Sequence, residues 1–398
     1  MKVANNVWLF MCCQALTMSI ASFVIFVGSI IGATLAPDPG LATMPVAAFI
    51  LGSALATLPV ILLMRRYQRK RVFLCCAAIA GLGCLLAMYA LQLQSFNVYL
   101  CAVVVLGVGL AAGQQYRFAA MESVSSLDAP KAASRVLVGG IVAAFLGPEL
   151  AVRGEQLTMT AYQGSFGLLM VVAIAVFFVL FFFVEPASDA RKSNVKGRPL
   201  REIIVQPVIL VAVISGCAGF AIMSLVMTST PLHMHFENGH SLVDTKWVIQ
   251  SHIVAMFLPS FFVPWIIRRI GVQGLISLGI VALLVMVVVI FSRYTFMNYW
   301  VSLVLLGLGW NFLFVGGTTL LPEGYSEAER FKVQAVNDFT IFGVQALGAL
   351  LAGWVLSTLG WQALLLMGLP ILALLTATLI YWRRVRHRLL VTSAEEVA

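Results

Sequence analysis

The residues best able to do chemistry are few and sit where polarity is costly. Gly113-Gln114-Gln115-Tyr116-Arg117 puts four hydrogen-bonding side chains, one of them a permanent cation, into a run of Val, Leu, Ala and Gly. A guanidinium at membrane depth costs at least ~2.5 kcal/mol, so it faces a protein interior or a watery cavity and marks a functional site by default. Its fixed fork of donors suits a carboxylate or phosphate, on a substrate or on an acidic side chain. The bland reading of Arg117 is a snorkelling side chain at the interface. Asp338, within Val336-Asn337-Asp338-Phe339, is the acid at a matching depth in the second half of the chain. Glu149 follows Gly147-Pro148. Apolar surroundings would suit it to carrying a proton, whereas Arg153 stands at the spacing of a helical ion pair, and both readings stay open. His252, flanked by Gln250 and Ser251, is a coupling group or a hydrogen-bonded packing residue. His233, His235 and His240, with Glu237 and Asp244, could take up a metal ion, but the reading taken is a solvated loop, and no metal site is assigned.

Helices that cross a bilayer must position these groups. Of 398 residues, 61% are hydrophobic and 10% charged, against ~45–50% and ~25% in soluble domains. A spanning helix takes ~20 residues, and twelve apolar segments can be drawn, at 7–33, 43–64, 72–93, 97–120, 134–152, 163–184, 206–231, 245–267, 272–292, 297–321, 332–358 and 361–382. No room remains for a soluble catalytic or receptor domain. The run from Val7 is too long for a signal-peptide core and reads as a retained first helix. An even number of spans puts both termini on one side. Arg65-Arg66, Arg69-Lys70-Arg71, Arg191, Lys192, Lys196, Arg198, Arg268-Arg269 and the arginines of the tail share that side, while Arg153, Lys246 and Arg293 lie on the other. By the positive-inside rule both termini are cytoplasmic. The net charge of +9 follows loop orientation and implies no nucleic-acid partner. The seven cysteines fall in apolar runs without a C-x-x-C pattern and read as packing residues.

The charged connection after segment six divides the chain. The expected organisation is a six-helix bundle over 1–185, a cytoplasmic central loop over 186–205, a second six-helix bundle over 206–383 and a cytoplasmic tail over 384–398. The halves echo each other: Val105-Leu106-Gly107-Val108-Gly109 matches Leu305-Leu306-Gly307-Leu308-Gly309, two hundred residues on.

Twelve helices in two sixes, with a basic turn after the second helix, resemble the major facilitator superfamily over the whole chain. The superfamily's loop motif, G-x-L-x-D-R-x-G-R-R/K, is matched by Leu63 to Arg71 in its basic part only. Arg65 stands where the aspartate belongs and Gln68 where the second glycine belongs. Val103 occupies the place of the usual fourth-helix arginine, so Arg117 is judged on its own. Gly139 and Gly147-Pro148 resemble part of an exporter motif without its trailing glycine, and residues 309–330, 333–339 and 249–262 resemble a bacterial subgroup.

The resemblance implies an all-α integral membrane protein with twelve transmembrane helices in two bundles related by a pseudo-two-fold axis. Helices one, four, seven and ten line the pathway in that superfamily, which nominates Gln14, Thr17, Gln114, Tyr116, Arg117, Trp310 and Asn311 as cavity residues. Helices four and five meet ten and eleven at the inner gate, so Arg117 and Asp338 would close it as an ion pair. Glu149 and His252 are the further gating or proton-coupling candidates. The expected function is secondary active transport of a small organic solute, coupled to protons, by alternating access in the inner membrane. Arg117 hints at an anionic substrate and the aromatic residues at an aromatic part. The partners are that substrate, protons and the lipid bilayer, with a monomeric protein and no cofactor. A membrane-embedded lipid-modifying enzyme and a non-transporting sensor are the alternatives. No G-x-x-x-x-G-K-[ST] phosphate cradle supports a nucleotide-driven pump.

Overall fold

The computed structural model describes residues 2–124, 129–185, 197–326 and 329–395. In lipid every backbone polar group must find its partner inside its own segment, and the helix does this locally. The helices are α1 (Lys2–Leu35), α2 (Met44–Tyr67), α3 (Arg69–Gln92), α4 (Phe96–Glu122), α5 (Ala129–Glu155), α6 (Gln163–Phe181), α7 (Leu200–Ile204), α8 (Pro207–Leu232), α9 (Leu242–Phe257), α10 (Val263–Ser292), α11 (Phe296–Leu320), α12 (Arg330–Leu366) and α13 (Gly368–Glu395). They form twelve membrane rods in two bundles of six. The short α7 lies in the expected central loop, whose residues 186–196, including Arg191, Lys192 and Lys196, fall outside the described residues. The tail continues α13 to Glu395.

Two rod boundaries are single residues inside continuous helical segments. α9 runs on through a tight turn into α10 until Gly271, where φ is 71°, and α12 bends at Gly360, where φ is 80°. Among the described residues nine stretches are long and apolar enough to span by themselves. One of them, 332–386, holds two rods, and α5 with the rod over 242–270 completes the twelve.

The α2–α3 turn makes its reversal at Gln68, with φ 74° and ψ 147°. Gly271, in the corresponding turn of the second half, has φ 71° and ψ 170°. That region is open to glycine and costs other residues ~1–3 kcal/mol. The departure from the loop motif at Gln68 is therefore a strained residue where a glycine would be relaxed. The turn is held by Arg69, whose Nη2 lies 2.5 Å from Glu122 Oε1 and whose backbone N–H donates to Glu185 Oε1 at 2.8 Å.

The echo between the halves has a packing cause. α2 and α3 both pack along α4, and α9 and α10 both pack along α11. A Cβ on Gly107 would sit 2.5 Å from the Phe49 carbonyl oxygen of α2, and one on Gly307 would sit 2.6 Å from the His252 carbonyl oxygen of α9. Gly109 and Gly309 make room in the same way for Ala80 and Leu283. The helix starts repeat as well, because Ser95 and Thr295 cap α4 and α11 by accepting from the N–H of Val98 and Asn298.

At the end of the linker, Glu329 accepts from Arg198 Nε and Nη2, both at 2.8 Å, and from the backbone N–H of Arg198 and Ser326. These donors, the Arg198 guanidinium first, hold the Glu329 carboxyl well below the usual carboxylate range.

Two outcomes are expected. Gly107→Ala and Gly307→Ala each lower the melting temperature, at ~1–3 kcal/mol for overpacking, while Gln68→Gly raises it; equal melting temperatures for all three would contradict the packing described. The Glu329 clasp stabilises above the pH at which a free carboxylate protonates, about 4.5, and is lost as pH falls below that value. Acid melts of Glu329→Gln are accordingly expected to lack that step.

Candidate functional site

The two bundles meet at the end of the molecule away from the basic turns. Glu149 on α5 is the central contact. Its Oε2 accepts from Lys246 Nζ of α9 at 2.8 Å, and its Oε1 accepts from Arg153 Nε of its own helix at 2.8 Å. Lys246 is nearly enclosed, with 10% of its side chain exposed. One turn further in, Gln250 Nε2 donates to the Phe145 carbonyl at 3.3 Å, and deeper still the Phe257 ring lies against Gly140. On the other flank the Gly353 N–H of α12 donates to Thr43 Oγ1 at 2.9 Å. Every hydrogen bond and ion pair between the bundles, among the described residues, lies in this region away from the basic turns.

Toward the basic end the picture changes. Arg117 on α4 has its guanidinium 4.8 Å above the Phe118 ring, and its buried Nε has no partner among the described residues. Asp338 on α12 accepts from Asn337 Nδ2 at 3.0 Å. Arg117 and Asp338 stand on helices of different bundles, and among the described residues no ion pair joins them. The residues expected to close the inner gate are thus not paired with each other.

Between these two levels the second bundle presents an aromatic shelf. Trp310 of α11 stacks on Phe314 with centroids 5.1 Å apart and planes 20° off parallel. Phe220 of α8 meets Trp310 edge-on at 5.1 Å and Phe342 of α12 at 5.9 Å, and Phe257 of α9 lies 6.2 Å from Trp310. Through Phe257 the shelf reaches Gly140, and beside it Gly139 is packed on the Gln14 side chain of α1. Trp310 Nε1, Gln14 Oε1 and Gln250 Oε1 are buried and unpaired among the described residues. Native interiors rarely leave such atoms unmet, and each asks for an explanation.

Tyr116, Thr17, Asn311 and His252, also expected at the site, make the contacts given for them within their own bundles. Tyr116 is buried in the first bundle's aromatic core, 5.6 Å from Phe10 and 5.0 Å from Phe73, with its hydroxyl 3.5 Å from Thr17 Oγ1. Thr17 is itself buried between α1 and α4. Asn311 donates to the Met256 carbonyl at 2.7 Å and to Ser260 Oγ at 2.6 Å, pinning the end of α9. His252 Nδ1 is 2.7 Å from the Leu303 carbonyl, so that nitrogen carries the proton and the ring joins α9 to α11. Gln114 is half-buried, one turn from Arg117. The histidine loop folds over the end of α8. His233 stacks on Trp361 at 4.3 Å, and His240 Nε2 reaches the Tyr294 carbonyl at 3.1 Å.

The sequence did not point to the roles of Lys246, Gln250 or the shelf phenylalanines. Lys246 and Gln250 carried a signal, as polar residues in an apolar segment. Phe220, Phe257, Phe314 and Phe342 carried none among 26 phenylalanines.

The model of the Major Facilitator Superfamily matches residues 7–343. The chain belongs to the major facilitator superfamily. It is similar to the riboflavin transporter RfnT of Brucella anthropi, with 34% identity over 94% of this chain and 95% of that one. It is also similar to the uncharacterized MFS-type transporter YdeG of Bacillus subtilis, at 30% identity over 90% of this chain and 87% of that one. In fold it matches a mutant form of the nucleoside transporter NupG, with a TM-score of 0.74 at 13% identity, covering 95% of this chain and 99% of that one. A bacterial homologue of the iron transporter ferroportin in an outward-facing state gives a TM-score of 0.66 at 16% identity, covering 95% and 99%. This superfamily member is a multi-pass membrane transporter of a small solute and not an enzyme. The lipid-modifying enzyme and the sensor are set aside by that membership.

Lys246→Gln is expected to lower the melting temperature of the purified transporter, since a charged hydrogen bond contributes ~1.5–3 kcal/mol. The exchange Glu149→Lys with Lys246→Glu should recover part of the loss, Arg153 then facing a like charge. An exchange no better than the single change would mean that the pair does not join the bundles.

Proposed function

We propose that the protein carries riboflavin or a closely related flavin across the inner membrane by alternating access, coupled to protons, with both termini cytoplasmic. The observation that carries this reading is the aromatic shelf around Trp310, set beside unpaired polar atoms in a chain similar to RfnT over nearly its full length. A flavin is a planar tricycle with an imide edge and a hydroxylated tail. The tricycle stacks on Trp310, where base-like stacking is worth ~1–3 kcal/mol. The Gln14 carboxamide offers an acceptor to the imide N–H, and Trp310 Nε1 offers a donor to a ring carbonyl. The tail then extends toward Arg117 and Asp338 at the basic end, which the positive-inside rule makes cytoplasmic.

The same reading assigns the gates. Glu149, Lys246 and the Gln250 contact close the outer side, and the separation of Arg117 from Asp338 leaves the inner side open. Glu149 has a cation on each oxygen and is a latch. Asp338 is left as the carboxylate that exchanges a proton: ionised, it pairs with Arg117 and shuts the inner gate; protonated, it releases it. Riboflavin carries no carboxylate, so Arg117 acts as gate partner more than as an anion clamp.

Proteoliposomes report on each step. Wild type is expected to accumulate riboflavin under an imposed pH gradient, and Trp310→Ala to weaken binding about tenfold. Asp338→Asn, which cannot form the ion pair with Arg117, should retain riboflavin binding and lose gradient-driven accumulation. Wild type that neither binds nor exchanges riboflavin sinks the substrate assignment, and gradient-driven accumulation by Asp338→Asn sinks the coupling assignment.

A further inference from the structure

The first bundle carries a cleft that the central pathway does not use. α2 and α3 each pack along α4 and far less against one another, which leaves an opening of about 450 Å³ between them. Val60 and Val108 lie deep in it. Leu63 and Tyr67 of α2 form one wall, Arg71 and Cys75 of α3 the other. Leu63, Tyr67, Arg71 and Cys75 are all exposed, so the cleft opens to the surroundings of the bundle, which for a membrane-spanning helix pair is lipid. Its interior is apolar, and its polarity is confined to one end, where Tyr67 and Arg71 flank the turn at Gln68.

The charges at that end are not equivalent. Arg69 is committed to Glu122, and the Lys70 ammonium lies 5.2 Å above the Phe181 ring. The two nearby acids are also engaged, Glu122 by Arg69 and Glu185 by the backbone N–H groups of Arg69 and Lys70. Arg71 has no ion-pair partner among the described residues and stands at the mouth of the cleft, and the Arg66 guanidinium lies over the Tyr67 ring at the same end. An apolar slot thus ends at an uncompensated cation, at the depth where the basic turn meets the headgroup layer.

The geometry points to a binding site for one phospholipid with an anionic headgroup, a fatty chain lying between α2 and α3 and the phosphate meeting Arg71. A chain fits the interior because no polar group there needs water. The guanidinium fork matches phosphate oxygens, and a tyrosine at the rim keeps its ring apolar and its hydroxyl wet. A basic side chain near a membrane surface contributes ~1 kcal/mol toward anionic lipid. The site is independent of flavin transport and stands or falls apart from it.

Native mass spectrometry of the intact protein, titrated with dioleoyl phosphatidylglycerol or phosphatidylcholine, tests this. Wild type is expected to hold one phosphatidylglycerol about fivefold more tightly than phosphatidylcholine, the ratio that ~1 kcal/mol gives. Arg71→Gln should lose that preference while still binding phosphatidylcholine. Val108→Trp, which fills the cleft, should lose both lipids, and Cys75→Phe at the wall takes its place if that variant does not purify as a folded monomer. Arg269→Gln, an exposed arginine of the second bundle, should behave as wild type. Equal affinity of wild type for the two lipids overturns the proposal, as does an unchanged preference in Arg71→Gln or full lipid retention in the filled variants.

Discussion

Glu149 holds the two bundles with one carboxylate: one oxygen meets Arg153 of its own helix and the other meets Lys246 across the interface. At membrane depth a charge left alone is costly, so the pair is most stable when the bundles touch at this end. Arg153 changes the balance of that bond. When Lys246 leaves, Glu149 keeps a counter-charge, and the penalty of parting falls mainly on the lysine. A contact of this kind can be strong in one state and still be released.

Some of the polar atoms left unmet lie deeper than that latch. Arg117 Nε, Trp310 Nε1 and the side-chain oxygens of Gln14 and Gln250 are buried without partners among the described residues. For a protein that holds one state this would be a plain loss of stability. For one that binds a solute and then changes shape, atoms unsatisfied in one state can be satisfied by the ligand or by the opposing bundle in the next. The separation of Arg117 from Asp338 has the same character, since ionisation of Asp338 would favour a motion that brings the carboxylate to the guanidinium.

Much of the fold was legible because lipid enforces a simple rule on composition. The twelve apolar segments correspond to the twelve rods, and the echo around Gly107 and Gly307 marked a real repeat in how helices pack. Boundaries at Gly271 and Gly360 were blurred because one glycine with positive φ can turn a chain whose neighbours stay helical. The site was legible only in part. Polarity in an apolar run singled out Arg117, Asp338 and Glu149 as candidates, but it does not reveal direction. Tyr116 and Asn311 were equally conspicuous, yet Tyr116 fills a core and Asn311 pins α9. The shelf phenylalanines were invisible because an aromatic residue facing a pathway and one facing lipid look alike in sequence.

The central claim is that closure at the Glu149–Lys246 end alternates with closure at the Arg117–Asp338 end. Spin labels placed on exposed Arg135→Cys of α5 and Arg268→Cys of α10, with the seven native cysteines replaced, report the basic-end separation directly. Pulsed electron–electron distance measurements in proteoliposomes should show a long distance at rest, and a shorter second population should grow when Lys246→Gln removes the outer latch. A single distance distribution, the same with and without that change, would contradict alternation between the two ends.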